Sequence, residues 1–101
     1  MKIGADITAL VMLIRSAYLH DSMIGDLINR SARGSFTGET LDSIVFTDGY
    51  SEVLVTARGI TYTENVDRRK PVKLLTSTSW KQLQSKLEDR LLYHRDGKGK
   101  K

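Results

Sequence analysis

The sequence contains no cysteine, a single proline and no apolar run long enough to cross a bilayer. Without cysteine the chain can form neither disulfides nor thiolate metal sites, which fits a cytoplasmic protein. The longest apolar run, from Ile7 to Ile14, lies between Asp6 and Arg15 and is not followed by a cleavage site typical of signal peptides. We therefore expect this run to form a buried helix, and we expect no membrane partner.

Charge is unevenly distributed along the 101 residues, of which 40% are hydrophobic and 28% charged. Residues 1–60 hold five Lys and Arg against seven Asp and Glu, a net charge of −2, whereas residues 61–101 hold eleven against five, a net charge of +6. Such a basic excess attracts polyanions or acidic protein surfaces. The ending HRDGKGKK has no apolar anchor, so we expect one folded domain over 1–93 and a disordered basic tail over 94–101.

Apolar spacing predicts helices at both ends of the domain. Asp6 can cap a first helix that continues to Tyr18, and Ser22 can cap a second helix over 23–32. Near the C-terminus, Ser79 and a glutamine three residues later form a capping box that opens a long amphipathic helix. The sequence therefore predicts a helical N-terminal part and a helical C-terminal end.

The middle of the chain carries a strong hairpin signal. Asp48-Gly49 lies between two β-prone runs, which predicts strands over 44–47 and 52–56. The segment 72–75 reads as a short strand or as irregular structure. The segment 56–66 is ambiguous, because its alternating apolar residues favour a third strand whereas a threonine at its start can cap a short helix. Both alternatives stay open on local grounds.

One stretch, TLDSIVFTDGYSEVLVTARGITY, resembles the winged helix-turn-helix DNA-binding domains. It places a leucine-bearing segment before a strand, a turn, a returning strand that ends in Val55-Thr56, and a segment with a glycine near its start. The resemblance implies a small α+β winged-helix-like domain with a helical N-terminal part, a β-hairpin wing and a long C-terminal amphipathic helix. Ser35 or Thr37 can cap a short helix here, and the resemblance implies that this is a recognition helix over 37–43 and that a further helix follows Thr56.

The same resemblance implies a site for double-stranded DNA, as in a small transcriptional regulator or accessory factor. The recognition helix would present Thr37, Thr40 and Ser43 to base edges or phosphates, and Arg33 and Arg58 would contact phosphates. If nucleic acid is bound, the charge distribution adds further basic residues to the phosphate contacts. These residues are Arg68, Arg69, Lys70 and Lys73.

A second function fits the charge asymmetry as well. In this alternative the chain is a small α+β protein-interaction module, an inhibitor or adaptor, that binds an acidic protein surface through its basic C-terminal half. The structure of 56–66 separates the two hypotheses. A helix there would support the winged fold, whereas a third strand would favour a β-meander and the protein-binding function.

The last helix carries an apolar stripe formed by Trp80, Leu83, Leu87 and Leu91. Such a stripe can pack on the core of its own chain or on a second copy in a symmetric dimer. The winged-helix resemblance implies a dimer interface at this stripe. Monomer and homodimer both stay open from the sequence.

Catalytic motifs are incomplete in this sequence. The two histidines, His20 and His94, lack the additional ligands of a metal-dependent hydrolase. The GKGKK ending lacks the glycine spacing, the preceding strand and the following helix of a phosphate-binding loop. We therefore expect no enzymatic activity, no metal site and no cofactor.

Overall fold

The computed structural model describes residues 7–65 and 70–95, with side chains described through residue 92. The elements are grouped by type along the chain, with two helices first, then five strands, then a helix. They are α1 (Ile7–Ala17), α2 (Gly25–Ile28), β1 (Arg33–Thr37), β2 (Thr40–Thr47), β3 (Glu52–Thr56), β4 (Gly59–Thr63), β5 (Val72–Thr76) and α3 (Trp80–Arg95).

The strands form one antiparallel meander in which each strand pairs with its neighbours in sequence, in the order β1-β2-β3-β4-β5. The β1–β2 connection turns at Gly38, whose φ of 63° suits glycine at the first central position of a two-residue hairpin loop. The β2–β3 loop is ordered by Asp48, whose Oδ1 accepts the N–H groups of Ser51 and Tyr50 at 2.8 Å each. These donors hold the pKa of the Asp48 carboxyl below its usual range.

The helices cover one face of this sheet and close a single core. Alternate residues of the central strands point into the core, among them Ile44, Phe46 and Val55, which are fully buried. Leu10 and Ile14 of α1 and Leu27 of α2 belong to the same buried cluster. From α3, the cluster receives Leu83 and Leu87.

The α+β class and the predicted hairpin are confirmed. β2 and β3 contain the expected strands, and Gly49 has a φ of 91° in the turn between them. The first helix is also confirmed, whereas the second is shorter than predicted, because α2 ends at Ile28 and the chain enters β1 five residues later. The last helix runs to Arg95, two residues beyond the predicted end of the domain at residue 93.

The capping box of α3 is present with a small shift. The Ser79 hydroxyl accepts the N–H of Gln82 at 3.1 Å, and the Gln82 side-chain oxygen accepts the N–H of Thr78 at 2.8 Å. In the standard box the glutamine would reach the N–H of the cap residue itself. The two bonds still satisfy backbone donors at the start of the helix.

The predicted recognition helix over 37–43 is wrong. The segment is a hairpin, in which Thr37 ends β1, Gly38 turns the chain and Thr40 opens β2. Two features explain the difference. Gly38, in the left-handed conformation, reverses the chain locally, and the β-branched residues that follow it pair with β3. Of the two structures left open for 56–66, the chain forms the third strand, because β4 begins at Gly59 and pairs with β3 and β5. The helix that the resemblance implied after Thr56 is absent there.

The packing removes two residues from the dimer interface that the resemblance implied on α3. Leu83 and Leu87 are fully buried in the core of their own chain, so they cannot contact a second copy while the fold is intact. Trp80 is half-buried and its indole N–H donates to the Leu41 carbonyl oxygen at 3.0 Å. Leu91 is half-buried. Leu83 and Leu87 therefore stabilise the fold of their own chain.

Tyr18, directly after α1, is the buried polar residue whose hydroxyl has no hydrogen-bond partner within the described part of the chain. Its side chain is 3% exposed. Burial raises the pKa of the Tyr18 phenol, the Arg90 cation opposes that rise, and the Asp21 carboxylate adds to it. A buried hydroxyl without a partner costs stability on the order of 1 to 3 kcal/mol.

Replacing Tyr18 by phenylalanine should therefore preserve the free energy of unfolding at pH 7 or raise it by up to about 1 kcal/mol. The pKa of Tyr18 lies above its ordinary value of 10.0 in the folded protein, so the folded state holds the phenol proton more tightly than the unfolded chain does. The contribution of this group to stability is therefore fully present below pH 10 and is lost as the pH rises through the native pKa. Urea titrations above pH 10 should show a steeper loss of stability for the wild type than for Tyr18→Phe. A variant that is clearly less stable at pH 7 would reveal a hydrogen-bond acceptor for the hydroxyl.

Candidate functional site

The face of the sheet opposite the core is polar and is not covered by α1, α2 or α3. We call it the open face. Strand residues alternate between the two faces, and those that point away from the core are mostly hydroxyl-bearing or charged. The positions on the open face are Arg33, Ser35, Ser43, Val45, Thr47, Glu52, Leu54, Thr56, Thr61, Lys73 and Thr76, and Thr63 lies on the same side of β4 but is buried.

Strand register places one basic residue at each edge of this face. Directly paired residues form a continuous row across the sheet, Arg33–Val45–Leu54–Thr61–Lys73. The row crosses four gaps between strands, which corresponds to roughly 19 Å at the usual strand spacing. Arg33 on β1 and Lys73 on β5 are both exposed, whereas the residues between them are half-buried.

A second row beside the first supplies hydroxyl groups. Ser35 pairs with Ser43, Ser43 with Thr56, and Thr56 with Gly59, which in turn pairs with Thr76 on β5. Paired residues of an antiparallel sheet share a face, so these hydroxyls lie beside the row that ends in Arg33 and Lys73. The open face therefore combines fixed hydroxyl groups with cations at its two edges.

A shallow depression of about 440 Å³ marks the β1 edge of the open face. Its lining consists of Arg30, Ser31, Arg33, Ser35, Val45 and Thr47. The loop that carries Arg30 is held from the core side by Arg15, whose Nε donates to the Ile28 carbonyl oxygen at 2.8 Å and whose Nη2 donates to the Arg30 carbonyl oxygen at 2.7 Å. The backbone beneath the arginine pair is thus anchored to α1.

Charges of both signs lie on and around this face. Arg30, Arg33 and Lys73 carry positive charges, Glu52 is an acidic open-face position, and the acidic Asp42 is exposed beside Ser43 on β2. Asp48 lies near enough to Arg30 for that cation to contribute to the lowered pKa of its carboxyl. Guanidinium, ammonium and hydroxyl groups together can donate hydrogen bonds to an extended polyanion.

The structure brings together three of the residues predicted to contact DNA. Arg33, Ser43 and Lys73 share the open face, although they lie on three different strands. Thr37 and Thr40 flank the β1–β2 turn. The Thr37 hydroxyl donates its hydrogen bond to the Asp42 carboxylate of the same chain.

The remaining predicted residues are more dispersed. Arg58 is exposed in the turn between β3 and β4, and Lys70 is exposed shortly before β5. Arg68 and Arg69 lie outside the described residues, as do residues 96–101 of the predicted tail.

Sequence reasoning missed Arg30, Ser35 and Thr61 as members of one surface. The alternation of residues within each strand was visible in the sequence for β3 and for 59–63. The register that aligns one strand with the next was not, because it depends on turn lengths and on the bulges at Ser35/Phe36 and Ile60/Thr61. The residues of the open face come together only when all five strands are paired in this register.

Comparison with protein families, curated proteins and solved structures found no match to this chain. Among the described residues, none of the helices is long and apolar enough to cross a membrane. The same residues contain no group of three or more His, Cys, Asp or Glu side chains placed to hold a metal ion. Function must therefore be argued from the chemistry of the surface.

Proposed function

We propose that the protein binds the backbone of double-stranded nucleic acid across the open face of its sheet. The observation that carries this proposal is the register row that puts Arg33 and Lys73 at opposite edges of one hydroxyl-lined surface. Cations and hydroxyls are the side chains that most often contact phosphates, and displaced counterions supply much of the free energy of binding.

The composition of the open face favours a duplex and disfavours sequence recognition. Proteins that bind single strands stack bases on aromatic rings, and none of the open-face positions is aromatic. With the recognition helix replaced by a hairpin, the described residues offer no helix to enter a major groove from this face. Binding through phosphates alone positions a protein on DNA without reading its sequence.

Neutralising either edge cation should weaken binding to a random duplex and reduce its dependence on salt. For Arg33→Gln and for Lys73→Gln, the slope of log K against log salt should become less steep by about 1 each. Fluorescence anisotropy with a labelled duplex, titrated at several salt concentrations, measures both quantities. The double variant should show the sum of the two changes.

Lys81→Gln is the matched control, since Lys81 is exposed on α3 and α3 packs on the opposite face of the sheet. It removes the same charge from a different surface. If all three single variants changed the slope equally, only net charge would matter and the open face would not be the binding surface. A wild-type affinity that barely changed with salt would contradict nucleic-acid binding altogether.

A second candidate function, binding of an acidic protein, is favoured by two features. One is the β-meander itself, since β4 is the third strand that the sequence associates with protein binding, and the other is the edge of the sheet at β5. In the described sheet β5 pairs only with β4, its Val72 is 52% exposed, and Lys70 and Lys73 give it positive charge. An exposed edge can accept an extended segment of another protein through main-chain hydrogen bonds, here an acidic one. Polyglutamate in place of DNA tests this function: tighter binding than DNA at equal ionic strength would favour an acidic protein partner.

A further inference from the structure

A small polar pocket lies at the C-terminal end of α1, away from the open face. It is lined by Ser16, Ala17, Leu19, His20, Asp21 and Arg90, and its volume is about 140 Å³. We call it the end pocket. It is well below the few hundred Å³ of a typical drug-sized ligand site, so it suits a single small functional group.

Arg90 is held in place by two contacts at the edge of this pocket. Its Nε donates to the Ala17 carbonyl oxygen at 2.9 Å, and its guanidinium carbon lies 4.2 Å from the centre of the Tyr18 ring. The first contact satisfies a carbonyl at the end of α1, and the second is a cation–π contact. Together they fix the plane of the guanidinium without using its terminal Nη donors.

One oxygen of the pocket's acidic residue is used outside the pocket. Asp21 Oδ1 accepts the backbone N–H groups of Met23 at 2.8 Å and Ile24 at 3.2 Å, which orders the chain before α2. No described carboxylate forms an ion pair with Arg90. A guanidinium of fixed orientation, with no ion-pair partner among the described residues and beside an open cavity, can accept a planar anion.

We propose that the end pocket binds a carboxylate group. The flat fork of the Arg90 guanidinium matches two carboxylate oxygens, and the Ser16 hydroxyl and the His20 ring supply further polar groups in the pocket wall. The Asp21 carboxylate in the same wall opposes a second negative charge, which favours a monoanionic carboxylate over a phosphate dianion. Leu19, 53% exposed, offers an apolar contact to the carbon skeleton of the ligand.

Sodium acetate, titrated into ¹⁵N-labelled protein with sodium chloride as the ionic-strength control, tests the proposal by NMR. The amide signals from Ser16 to Asp21 and the Nε–H signal of Arg90 should shift and saturate at roughly millimolar to tens of millimolar acetate. Inorganic phosphate should bind more weakly than acetate at pH 7. Shifts that never saturate, that chloride reproduces, or that phosphate produces at lower concentration would overturn the proposal.

Two variants separate ligand binding from the structural role of Arg90 at the end of α1. Arg90→Lys keeps the charge but loses the planar fork, and it should weaken acetate binding several-fold. Ser16→Ala leaves the Arg90 contacts in place and should weaken binding without unfolding the chain, so the test stands even if Arg90→Lys is unstable. Lys81→Gln should bind acetate as the wild type does. Unchanged binding in both Ser16→Ala and Arg90→Lys would show that the end pocket is not the site.

Titrations with short peptides distinguish two sources of the carboxylate, the C-terminal end of a polypeptide and a small free acid. A short peptide with a free C-terminal carboxylate and its amidated form are titrated in the same way. Tighter binding of the free peptide than of acetate, lost on amidation, would identify a polypeptide end as the ligand. Equal binding of acetate and the free peptide would identify a small free acid.

Discussion

Replacing Gly59 by alanine should lower the free energy of unfolding by at least about 3 kcal/mol, the sum of backbone strain and overpacking. Gly59 has a φ of 137°, a conformation that side-chain-bearing residues rarely adopt. A Cβ at this position would lie 2.0 Å from the carbonyl oxygen of Leu75 and 2.9 Å from its carbonyl carbon. Both atoms belong to the backbone of β5, so relief requires the strand itself to move away from β4.

Two other glycines separate the causes of this effect. Gly49→Ala has a comparable backbone constraint, with φ at 91°, but its Cβ would meet nothing within 4 Å, so its cost should be about 1 kcal/mol of strain alone. Gly34→Ala would approach the Ile7 Cδ1 atom, a flexible side-chain end that can turn aside. Urea titration followed by the fluorescence of Trp80 measures all three. Equal losses for Gly59→Ala and Gly49→Ala would contradict a tight approach of β5.

The position of Gly59 also shows why local sequence left 56–66 undecided. Propensity allowed both a strand of alternating residues and a short helix capped by Thr56, because each uses only neighbours in sequence. The choice is made by β5, which follows several residues later and packs its backbone against Gly59. A contact between distant parts of the chain thus overrides a local tie.

Local signals succeeded where one turn contained all the information. Asp48-Gly49 predicted its hairpin correctly, since the side chain of Asp48 and the positive φ of Gly49 order the loop without help from the rest of the chain. Gly38 carries a similar signal, yet a possible cap at Ser35 or Thr37, together with the resemblance to a winged helix, gave its segment a helical interpretation. Turn chemistry at Gly38 would have predicted β1 and β2.

The candidate site was predictable in its residue types but not in its arrangement. The basic excess of residues 61–101 pointed to Lys73, the winged-helix resemblance pointed to Arg33, and both are exposed. They share a face only because each of the four pairs of neighbouring strands, from β1–β2 to β4–β5, has the register that it has. A single-residue slip in any pair would turn the strands beyond it over and separate the two cations onto opposite faces.

Truncating Leu87 to alanine should lower the free energy of unfolding by about 2 to 5 kcal/mol, as for other leucines in a closed core. Leu87 is 0% exposed and belongs to the buried cluster that joins α3 to α1 and the sheet. Urea titration followed by circular dichroism measures the loss. The prediction follows from assigning the apolar stripe of α3 to the chain's own core.

Leu92→Ala is the control on the same helix, because Leu92 is 50% exposed and its truncation should cost less than about 1 kcal/mol. Light scattering on the wild type and both variants then separates the two interpretations of the stripe. If Leu87 packs within the monomer, Leu87→Ala loses stability and the mass of the folded protein stays the same as in the wild type. A Leu87→Ala variant of nearly wild-type stability, with a mass that falls from dimer to monomer, would restore the dimer interface. In that case α3 would have to leave the sheet to reach a second copy, and a core built on its leucines makes that arrangement costly.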